Sequence, residues 1–390
     1  MTRLGVVVTH PIQYYTPLFA YLAKHVDLHV FYGHAPTPSQ RGAAGFGGPV
    51  DWGIDLLQGH SHSFLRNTAK RPNSDTFAGI DTPHIGDTLR TQGITHLLIT
   101  GWQSLCYWQA LGAALRMRIP VSVRGDSALV ASTPPTVRAL KRTFFPLFLR
   151  RYTRVFYVGA RNRAYLAAHG VREQQLAFFP HVVDQAFWTP PVTPRPNEAV
   201  RFIWVGKLID IKRPLDMIAA FARAHATDPS IELTIVGTGP LEGDVRRAAA
   251  SNSAITLLGF QNQPQLRELY QTAHCLVMTS QSETWGLVVS EALGCELPVI
   301  ASNGCACTDD LVVGRGTGLT YPIADTVALS DAMLRIATKL RVDAGCFVQP
   351  IRAVNRRYHF DAAVQAVTGF LDCPGRRAQA HDSVRTRTTR

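Results

Sequence analysis

Short apolar runs alternate with helix-length segments along most of the chain. Ahead of a proline-rich stretch, the runs that predict strands are Leu4–Val8, Asp27–Tyr32, His96–Thr100, Val121–Val123, Arg154–Val158 and Ala177–Phe179. Beyond that stretch they are Arg201–Val205, Glu232–Val236, Ile255–Leu258, Cys275–Met278 and Pro298–Ala301. Strands that alternate with helices in this way indicate parallel sheets with helices on both faces. Because crossovers between parallel strands are right-handed, the pattern predicts doubly wound α/β domains.

The proline-rich stretch divides the chain. Pro190, Pro191, Pro194 and Pro196 fall within seven positions, which predicts a stiff linker rather than a helix or strand. A chain of 390 residues is long enough for about two domains. We therefore expect a first domain over 1–187, a linker over 188–198, a second domain over 199–350, C-terminal helices over 351–373 and a disordered basic tail over 374–390.

Composition and charge narrow the function classes. An apolar content of 46% with 17% charged residues describes a globular, core-rich protein, and the net charge of +12 favours polyanionic partners such as phosphate-rich ligands or anionic lipid. No zinc finger, RNA-recognition signature or aromatic–basic alternation is present in the sequence, so nucleic acid is disfavoured. The seven cysteines show neither metal spacing nor a secreted framework, which indicates a reducing cytosol.

Three segments bear on membranes. Met1–Val8 is too short an apolar run for a signal peptide and predicts a first strand. The uncharged stretch Leu97–Leu115 is long enough to span a bilayer, but its glycines and glutamines favour strand, turn and helix. Val137–Arg154 carries six basic residues and no acid, with Phe, Leu and Tyr between them. Such a segment lies in an anionic membrane surface or forms a core-facing helix with solvated arginines. We expect a cytoplasmic protein, peripheral at the inner face of the membrane.

The most informative stretch, Ser282–Cys295, holds two carboxylates eight positions apart. Glu283 comes just after a strand-like run, and Glu291 lies about one and a half turns into the following helix. Such a turn directs unpaired N–H groups outward, which suits a diphosphate, while carboxylates accept hydrogen bonds from sugar and ribose hydroxyls. The alternative is that Glu283 caps the helix and Glu291 is a solvated helix residue.

This spacing resembles a known signature. Glu-x7-Glu followed by Ala-Leu-Gly-Cys-x-Leu-Pro-Val-Ile-Ala-Ser is similar to that of retaining family 4 glycosyltransferases of the GT-B fold. The resemblance implies two Rossmann-like doubly wound domains facing a cleft, with the donor in the second domain, the acceptor in the first, and the last helix crossing back to the first. It implies a reaction that retains anomeric configuration without a bound metal. It is strong over 201–322 and looser over 9–126.

Two lysines open the second domain. Lys207 and Lys212 sit where both ammonium groups can reach one phosphate, although two solvated lysines would give the same pattern. The segment is similar to the family's Gly-Arg/Lys-Leu…Lys pattern, whose basic residues hold the donor diphosphate. The first position is often Arg in the family, and Lys binds phosphate as a point charge without bidentate geometry.

A Gly-x-Gly turn and a later loop complete the expected donor site. Glu242 occupies the position where a dinucleotide fingerprint needs Gly or Ala, so Gly237 and Gly239 either let backbone approach a nucleotide or form a tight turn. The loop Leu258–Leu266 resembles the family's nucleobase loop, and the segment from Ser302 to Pro322 resembles one that shapes the donor side. The resemblance implies as donor-binding residues Gly206, Gly237, Gly239, Phe260, Gln261, Thr284, Trp285, Gly286, Leu287 and Glu291.

The first half departs from the common pattern. His10-Pro11-Ile12-Gln13 replaces the usual glycine-rich loop after the first strand. With Gly101-Trp102 and Arg124-Gly125-Asp126-Ser127, it resembles a bacterial branch associated with polysaccharide and glycolipid assembly. The usual histidine is replaced by Gly125, so His10, Arg124 and Asp126 are candidates for its work. Their alternatives are a structural histidine, a structural ion pair and a capped turn. The implied catalytic residues are Glu283, Lys212, Lys207, His10, Arg124 and Asp126.

The sequence thus predicts a retaining glycosyltransferase that moves a sugar from a nucleotide diphosphate sugar, with uridine diphosphate favoured, to a glycan, lipid-linked or small-molecule acceptor. No cofactor is expected beyond this co-substrate. A nucleotide-sugar epimerase of the same fold is an alternative, and a non-catalytic partner protein is another. The Gly-Lys…Lys and Glu-x7-Glu patterns argue against the epimerase, and the intact charged residues argue against the partner protein.

Overall fold

The computed structural model describes residues 2–43, 48–128, 144–189 and 199–373. The chain divides into two units. The first comprises Met1–Pro36, Asp55–Pro180 and Phe360–Arg390, and the second comprises Thr37–Ile54 and His181–His359.

Each unit contains one parallel sheet. In chain order the strands are β1 Leu4–Val8, β2 Leu28–Tyr32, β3 Ser61–Phe64, β4 His96–Ile99, β5 Val121–Arg124, β6 Arg154–Tyr157, β7 Leu176–Phe178, β8 Val200–Val205, β9 Ile231–Val236, β10 Ile255–Leu258, β11 Cys275–Met278, β12 Val299–Ser302 and β13 Gly318–Tyr321.

Helices connect the strands in both units. They are α1 Tyr15–Leu22, α2 Pro38–Ala43, α3 Ile85–Thr91, α4 Leu105–Met117, α5 Ala160–Ala168, α6 Gln185–Trp188, α7 Pro214–Thr227, α8 Glu242–Ala249, α9 Gln263–Thr272, α10 Leu287–Gly294, α11 Thr308–Leu311, α12 Thr326–Val342, α13 Val348–Arg357 and α14 Phe360–Leu371. Residues 144–149 are also helical, and they follow directly on an undescribed stretch.

The first sheet has the strand order β3-β2-β1-β4-β5-β6-β7. Its central strands β1 and β4 are buried along their whole length, which is why they appear in the sequence as continuous apolar runs. Val6 pairs with Val30 on one side and with Leu98 on the other. The order in which strands are added to the sheet reverses between β1 and β4. Ligands of such sheets bind beyond the carboxyl ends of the strands at this reversal point.

The last helix, α14, belongs to the first unit although it follows the second in sequence. The Phe360 ring lies 5.3 Å from the Tyr21 ring of α1, and the Tyr21 hydroxyl donates to Asp361 Oδ1 at 2.6 Å. At the other end of α14, the Phe370 ring packs edge-on against Phe156 of β6. These contacts fasten α14 to the helix layer and to the sheet of the first unit.

The second sheet has the order β10-β9-β8-β11-β12-β13. β8 pairs with β9 over its full length, and β11 lies on its other side. The reversal point therefore falls between β8 and β11. The segments that leave these two strands, beginning at Gly206 and at Thr279, carry the predicted lysines and the first glutamate.

All eleven predicted strands are present, each with both ends within one residue of the predicted bounds. This arrangement confirms the predicted doubly wound α/β class. Two strands at sheet edges, β3 and β13, were not predicted. The sequence of β3 is Ser-His-Ser-Phe and that of β13 is Gly-Leu-Thr-Tyr, and neither is fully buried. An edge strand needs little apolar sequence, because it has a neighbour on one side only.

The division into units differs from the expected bounds in two places. Thr37–Ile54 belongs to the second unit rather than to the first domain, and the second unit already begins at His181. Trp188, the expected start of the linker, ends helix α6 and is buried, and its carbonyl accepts a hydrogen bond from the Cys295 thiol at 3.0 Å. The remaining linker residues 190–198 and the tail 374–390 lie outside the described residues.

Leu97–Leu115 forms strand β4, a turn and most of α4, as predicted. Among the described helices, none is both long enough and apolar enough to cross a membrane.

Candidate functional site

Two predicted site residues of the second unit meet in an ion pair. Lys212 ends a short 3-10 turn, Asp210–Lys212, that follows β8, and Glu283 lies in the loop that follows β11. The Lys212 ammonium contacts Glu283 Oε2, and the two side chains are 23% and 21% exposed. The pair is therefore close to the surface and can be reached by a ligand at the carboxyl edge of the sheet.

Hydrogen bonds between the two loops hold this pair in place. The Thr279 hydroxyl donates to the Lys212 carbonyl at 2.6 Å and accepts from Trp204 Nε1 at 2.8 Å. One residue earlier, the Ile211 carbonyl accepts from the Gln281 amide at 2.8 Å. The backbone that carries Lys212 is thus fixed to the strand end that carries Glu283, so both charged side chains start from defined positions.

The loop after β12 braces the backbone of Glu283. The Glu283 amide donates to the Gly304 carbonyl at 3.2 Å, and the Ala306 amide donates to the Glu283 carbonyl at 3.0 Å. A Cβ atom on Gly304 would lie 2.3 Å from the Gln281 carbonyl oxygen, so only glycine permits this approach. The segment expected to shape the donor side is therefore part of the support of Glu283.

Helix α10 begins directly after this loop. Its N-cap, Gly286, has φ +99, and a Cβ atom there would lie 2.9 Å from Met278 Cε. Because the N-cap is Gly286, the alternative in which Glu283 is the cap is wrong. Thr284 is exposed beside the helix start and Leu287 is half-buried. The Trp285 ring is buried against Tyr358, at 5.8 Å, so this residue presents only its backbone to a ligand.

Glu291, the second glutamate of the signature, lies inside the second unit. It is 1% exposed, and its Oε2 accepts a hydrogen bond from the Tyr270 hydroxyl at 3.2 Å. The Tyr270 ring in turn packs edge-on against Trp188 at 5.7 Å. The alternative of a solvated helix residue is therefore wrong for Glu291. A buried carboxylate needs hydrogen-bond donors, and Tyr270 supplies one.

The glycines after β8 and β9 pack backbone against backbone. A Cβ atom on Gly237 would lie 1.9 Å from the Gly206 carbonyl oxygen, and one on Gly239 would lie 2.6 Å from the Leu208 carbonyl oxygen. The Leu208 amide also donates to the Thr238 carbonyl at 2.9 Å. The tight-turn interpretation accounts for both glycines without a ligand. Lys207 is half-buried on the turn that they support.

The expected nucleobase loop follows β10. Phe260 and Gln261 are half-buried there, and Asn262 begins α9 with a reciprocal capping box. The Phe260 ring lies 5.8 Å from the ring of Trp52. Sequence reasoning missed Trp52 because nothing in its local sequence connects it to a loop about two hundred positions later.

Arg124 of the first unit is enclosed. It is 2% exposed and donates hydrogen bonds to the Phe179 carbonyl at 3.3 Å, to the Pro180 carbonyl at 2.9 Å and to the Tyr15 hydroxyl at 2.7 Å. The guanidinium donates to carbonyl and phenol oxygens, so the alternative of a structural ion pair does not describe this geometry. Burial raises the pKa of Tyr15, Arg124 acts to lower it, and the nearby Asp126 acts to raise it. Arg124 therefore positions Tyr15, a residue that the sequence analysis missed.

His10 lies on the turn after β1. Its Nδ1 is 3.1 Å from the Thr9 hydroxyl, and the Thr9 amide donates to the Tyr107 hydroxyl at 3.2 Å. Tyr107 also bonds Thr100, at the end of β4, at 2.9 Å. The half-buried imidazole is thus attached to the reversal point of the first sheet, where ligands of such sheets bind.

The two motifs Gly101-Trp102 and Gly125-Asp126 come together. A Cβ atom on Gly125 would lie 2.6 Å from the Trp102 ring, so a larger residue would displace that ring. Asp126 follows on the same turn and is half-buried. Next along the chain, the Ser127 carbonyl accepts from Asn162 Nδ2 at 2.6 Å. Gly125 therefore fits its position for steric reasons, which explains the absence of a histidine there.

A groove of 570 Å³ lies elsewhere in the first unit, between α3 and α4, and contains none of the predicted site residues. Trp108 lies on it and stacks on Phe148 at 4.6 Å and on Phe144 at 6.1 Å. In the helical segment 144–149, Phe144 and Leu147 are 47% and 60% exposed, whereas Phe148 and Leu149 are buried. Of the predicted membrane segment, residues 137–143 lie outside the described part of the chain.

The two basic residues predicted for the candidate site, Lys207 and Lys212, are both half-buried. Within residues 2–43, 48–128, 144–189 and 199–373, no group of three or more His, Cys, Asp or Glu side chains could hold a metal ion.

The match to a known protein family falls within the second unit. Residues 199–339 match the family described as glycosyl transferases group 1. A D-inositol 3-phosphate glycosyltransferase of Pseudarthrobacter chlorophenolicus is 28% identical over 218 residues, which cover 52% of this chain and 51% of that protein. A glycogen synthase of Mycobacterium tuberculosis is 30% identical over 155 residues, which cover 39% of this chain and 37% of that protein. The chain spans about half or less of the length of these relatives.

Solved structures resemble the whole chain. A glycosyltransferase from Rickettsia africae superposes with a TM-score of 0.70 at 11% identity, covering 95% of this chain and 98% of that one. Anabaena HepE, in complex with UDP and glucose, superposes with a TM-score of 0.68 at 12% identity, covering 96% of this chain and 100% of that one. At such identities the similarity concerns the fold, and it confirms the predicted GT-B class.

Proposed function

We propose that the chain is a retaining glycosyltransferase, since residues 199–339 match the glycosyl transferases group 1 and the chain has the GT-B fold. It moves a sugar from a nucleotide diphosphate sugar to an acceptor in bacterial polysaccharide or glycolipid assembly. The observation that carries the proposal is the Lys212–Glu283 pair, just ahead of the start of α10. A uridine diphosphate sugar is the favoured donor, because structures of the similar HepE contain UDP or UDP-glucose.

The group that most needs electrostatic stabilisation in this reaction is the leaving diphosphate. Negative charge grows on it as the bond to the sugar breaks, and preorganised positive groups stabilise that charge. Lys207, Lys212 and the first amides of α10 are assigned to this work. Their combined charge supports a reaction that needs no bound metal.

Glu283 is assigned to the sugar and Glu291 to the ribose. A carboxylate accepts hydrogen bonds from two hydroxyls, which suits both parts of the donor. Glu283 is partly exposed and already faces Lys212, so it can act on the sugar while Lys212 acts on the phosphate. Glu291 is buried under its bond from Tyr270, so its proposed role combines ribose binding with support of the fold.

In the first unit, His10 and Asp126 are assigned to the transfer step. Both are half-buried and lie on turns that leave the carboxyl ends of central strands. Arg124 is a positioning residue, because it holds Tyr15 and two carbonyls and is itself enclosed. His10 and Asp126 would together do the work of the histidine that the resembled family usually carries near the position of Asp126.

The acceptor is proposed to be a glycan built on a lipid carrier. The exposed Phe144 and Leu147, together with the basic residues of 137–154, support peripheral association with an anionic membrane. The protein would then work at the cytoplasmic face, where its donor and a lipid-linked acceptor meet.

One experiment tests the proposed activity. The purified protein is screened for thermal stabilisation by UDP, GDP and ADP, and then incubated with the sugar nucleotide of the stabilising base in EDTA. A ligand that binds only the native state raises the melting temperature in proportion to the logarithm of its concentration over Kd. We expect stabilisation by UDP and slow release of UDP from the UDP-sugar, and neither should require a divalent metal.

Other outcomes separate the alternatives. Conversion of the UDP-sugar into an epimer without release of UDP would indicate the epimerase. Binding without any turnover, in the presence of lipid and glycan acceptors, would indicate a non-catalytic partner. Activity that disappears in EDTA and returns with Mg²⁺ or Mn²⁺ would overturn the metal-independent reaction.

A further inference from the structure

A short segment from the first half of the chain is built into the second unit, beside the expected nucleobase loop. The Trp52 carbonyl accepts a hydrogen bond from the Gln263 amide at 3.2 Å. The next residue, Gly53, has φ +69, and a Cβ atom there would lie 2.8 Å from Asn262 Nδ2. The Asp51 carboxylate accepts from the Gly53 amide at 3.0 Å and shapes this turn. The segment therefore approaches the start of α9 as closely as a glycine allows.

The Trp52 side chain adds a second aromatic ring beside Phe260 of the expected nucleobase loop. The Trp52 and Phe260 rings are 5.8 Å apart with an angle of 67° between their planes. Both residues are half-buried, so neither is enclosed in the core. Two aromatic side chains from distant parts of the sequence thus stand side by side at one loop.

Trp52 and Phe260 lie at the edge of the second sheet where a ligand is expected. Phe260 follows the carboxyl end of β10, and the Gly237 amide after β9 donates to the Leu258 carbonyl at 3.1 Å and to the Gly259 carbonyl at 3.2 Å. The ends of β9 and β10 therefore form one edge with the turn that carries Lys207. Ligands of doubly wound sheets bind outside this edge.

We propose that Trp52 forms part of the nucleobase site, where its ring stacks on or closes over the base of the donor beside Phe260. This inference rests on the proposed function and names a binding residue for it. Stacking on an aromatic ring does not depend on which base is present, because every base has a π face. Trp52 therefore sets the affinity for the base, while hydrogen bonds from the loop select its identity.

The test compares UDP with inorganic pyrophosphate, which has no base. The binding of each is measured by calorimetry for wild type, Trp52→Ala and Trp52→Phe. Removing an aromatic ring that stacks on a base weakens binding roughly 5- to 100-fold. We expect Trp52→Ala to lose this much affinity for UDP and to bind pyrophosphate as wild type does. Trp52→Phe should recover most of the UDP affinity.

Two controls make the result specific. Trp108→Ala removes another partly exposed ring, in the first unit, and should bind both ligands normally. Lys212→Ala should weaken the binding of both ligands, because it removes a phosphate contact. UDP should also quench the tryptophan fluorescence of wild type more than that of Trp52→Phe, which checks the contact without a large change in packing.

Three results would overturn the inference. One is unchanged UDP affinity in Trp52→Ala. A second is equal loss of UDP and pyrophosphate binding in this variant, since Trp52 would then only fasten residues 48–54 to the second unit. The third is failure of wild type to bind any nucleoside diphosphate, which would also remove the proposed function. The first two leave that function standing, so the two failures can be told apart.

Discussion

The Lys212 ammonium lies against the Glu283 carboxylate, although 71 positions separate the two residues in sequence. β8 and β11 are parallel neighbours at the point where the strand order reverses, and the segments that leave these strands bring the two side chains together. A donor diphosphate would be a second anion for Lys212. In the proposed reaction, binding of the donor would change the partner of Lys212 and make the Glu283 carboxylate available to the sugar.

Replacing Lys212 by Ala should lower kcat more than it raises KM. Charge on the departing diphosphate grows in the transition state, and only interactions that strengthen there raise kcat. Loss of a hydrogen bond to a charged group costs about 1.5–3 kcal/mol, so we expect a roughly 10- to 100-fold loss of kcat. Steady-state kinetics with saturating acceptor measures both constants. A raised KM with unchanged kcat would contradict this role.

The pairing itself is tested by a double-mutant cycle. Glu283→Gln and Lys212→Ala should each slow transfer, and the double variant should lose less than the sum of the two effects, because the residues touch. Additive losses in the activation free energy would mean that the two side chains act independently.

Glu291→Ala should weaken donor binding and also destabilise the protein. The change removes the hydrogen bond that the buried Glu291 carboxylate accepts from the Tyr270 hydroxyl, and a hydrogen bond to a charged group contributes about 1.5–3 kcal/mol. Urea unfolding measures the stability and thermal shift with UDP measures the binding. Tyr270→Phe is the matched control, since it removes the same hydrogen bond and keeps the carboxylate. If Glu291→Ala binds UDP as tightly as Tyr270→Phe does, Glu291 has no direct contact with the ribose.

The sequence predicts the core of the fold well because central parallel strands are buried on both faces and so form unbroken apolar runs. The polar edge strand β3 carries no such run and was missed. In the candidate site, too, only features with a local sequence pattern could be predicted. Glu283 and Lys212 were found from their motifs, whereas the burial of Arg124 depends on carbonyls about 55 positions away, which no local pattern reveals.

The sequence left Gly237 open between nucleotide approach and a tight turn, and the Gly206 carbonyl oxygen beside it supports the tight turn. Gly237→Ala should unfold at lower urea concentration than wild type by at least about 2 kcal/mol, because the Cβ atom meets the Gly206 carbonyl oxygen. Gly314→Ala is the control, since Gly314 also has positive φ, at +67, but has open space around the Cβ position. It should cost about 1 kcal/mol. Equal losses would show that backbone conformation alone, and not the close contact, requires glycine at 237.

The first unit should lose stability as the pH falls below about 6.5. Burial lowers the pKa of His29, and likewise of His60 and His96. Because the folded state holds these imidazoles neutral, the unfolded state binds more protons below its ordinary histidine pKa. The free energy of unfolding therefore rises with pH up to about 6.5 and falls as the pH drops below that value.

His29→Asn should flatten this dependence. His29 bonds Ser61 and Ser63 of β3 at 2.8 and 3.0 Å, so its protonation competes with hydrogen bonds at the sheet edge. Urea unfolding between pH 5 and 8 measures the effect. An identical pH dependence in His29→Asn and wild type would exclude His29 as a contributor.

The last prediction concerns the membrane. Phe144 and Leu147 project from a helical segment whose other side, with Phe148 and Leu149, is buried, and Arg150 and Arg151 follow directly. An apolar side beside basic residues binds anionic bilayers, and each basic residue near the surface contributes about 1 kcal/mol. The protein should therefore float with anionic liposomes at low salt and not with neutral ones. Binding should vanish at high salt, where the charges are screened.

Variants distinguish binding through Phe144 and Leu147 from nonspecific binding of a basic protein to anionic lipid. Phe144→Ser with Leu147→Ser should reduce flotation while net charge stays the same, and replacing Arg138, Lys141, Arg142, Arg150 and Arg151 by Ser should abolish it. Val342→Ser removes an apolar side chain of the second unit that is 84% exposed, and it should float as wild type does. If the Phe144 and Leu147 double variant floats like wild type, the arginines bind lipid without insertion of this segment. If the arginine variant also floats normally, the segment has no part in membrane binding, and a small-molecule acceptor becomes the better proposal.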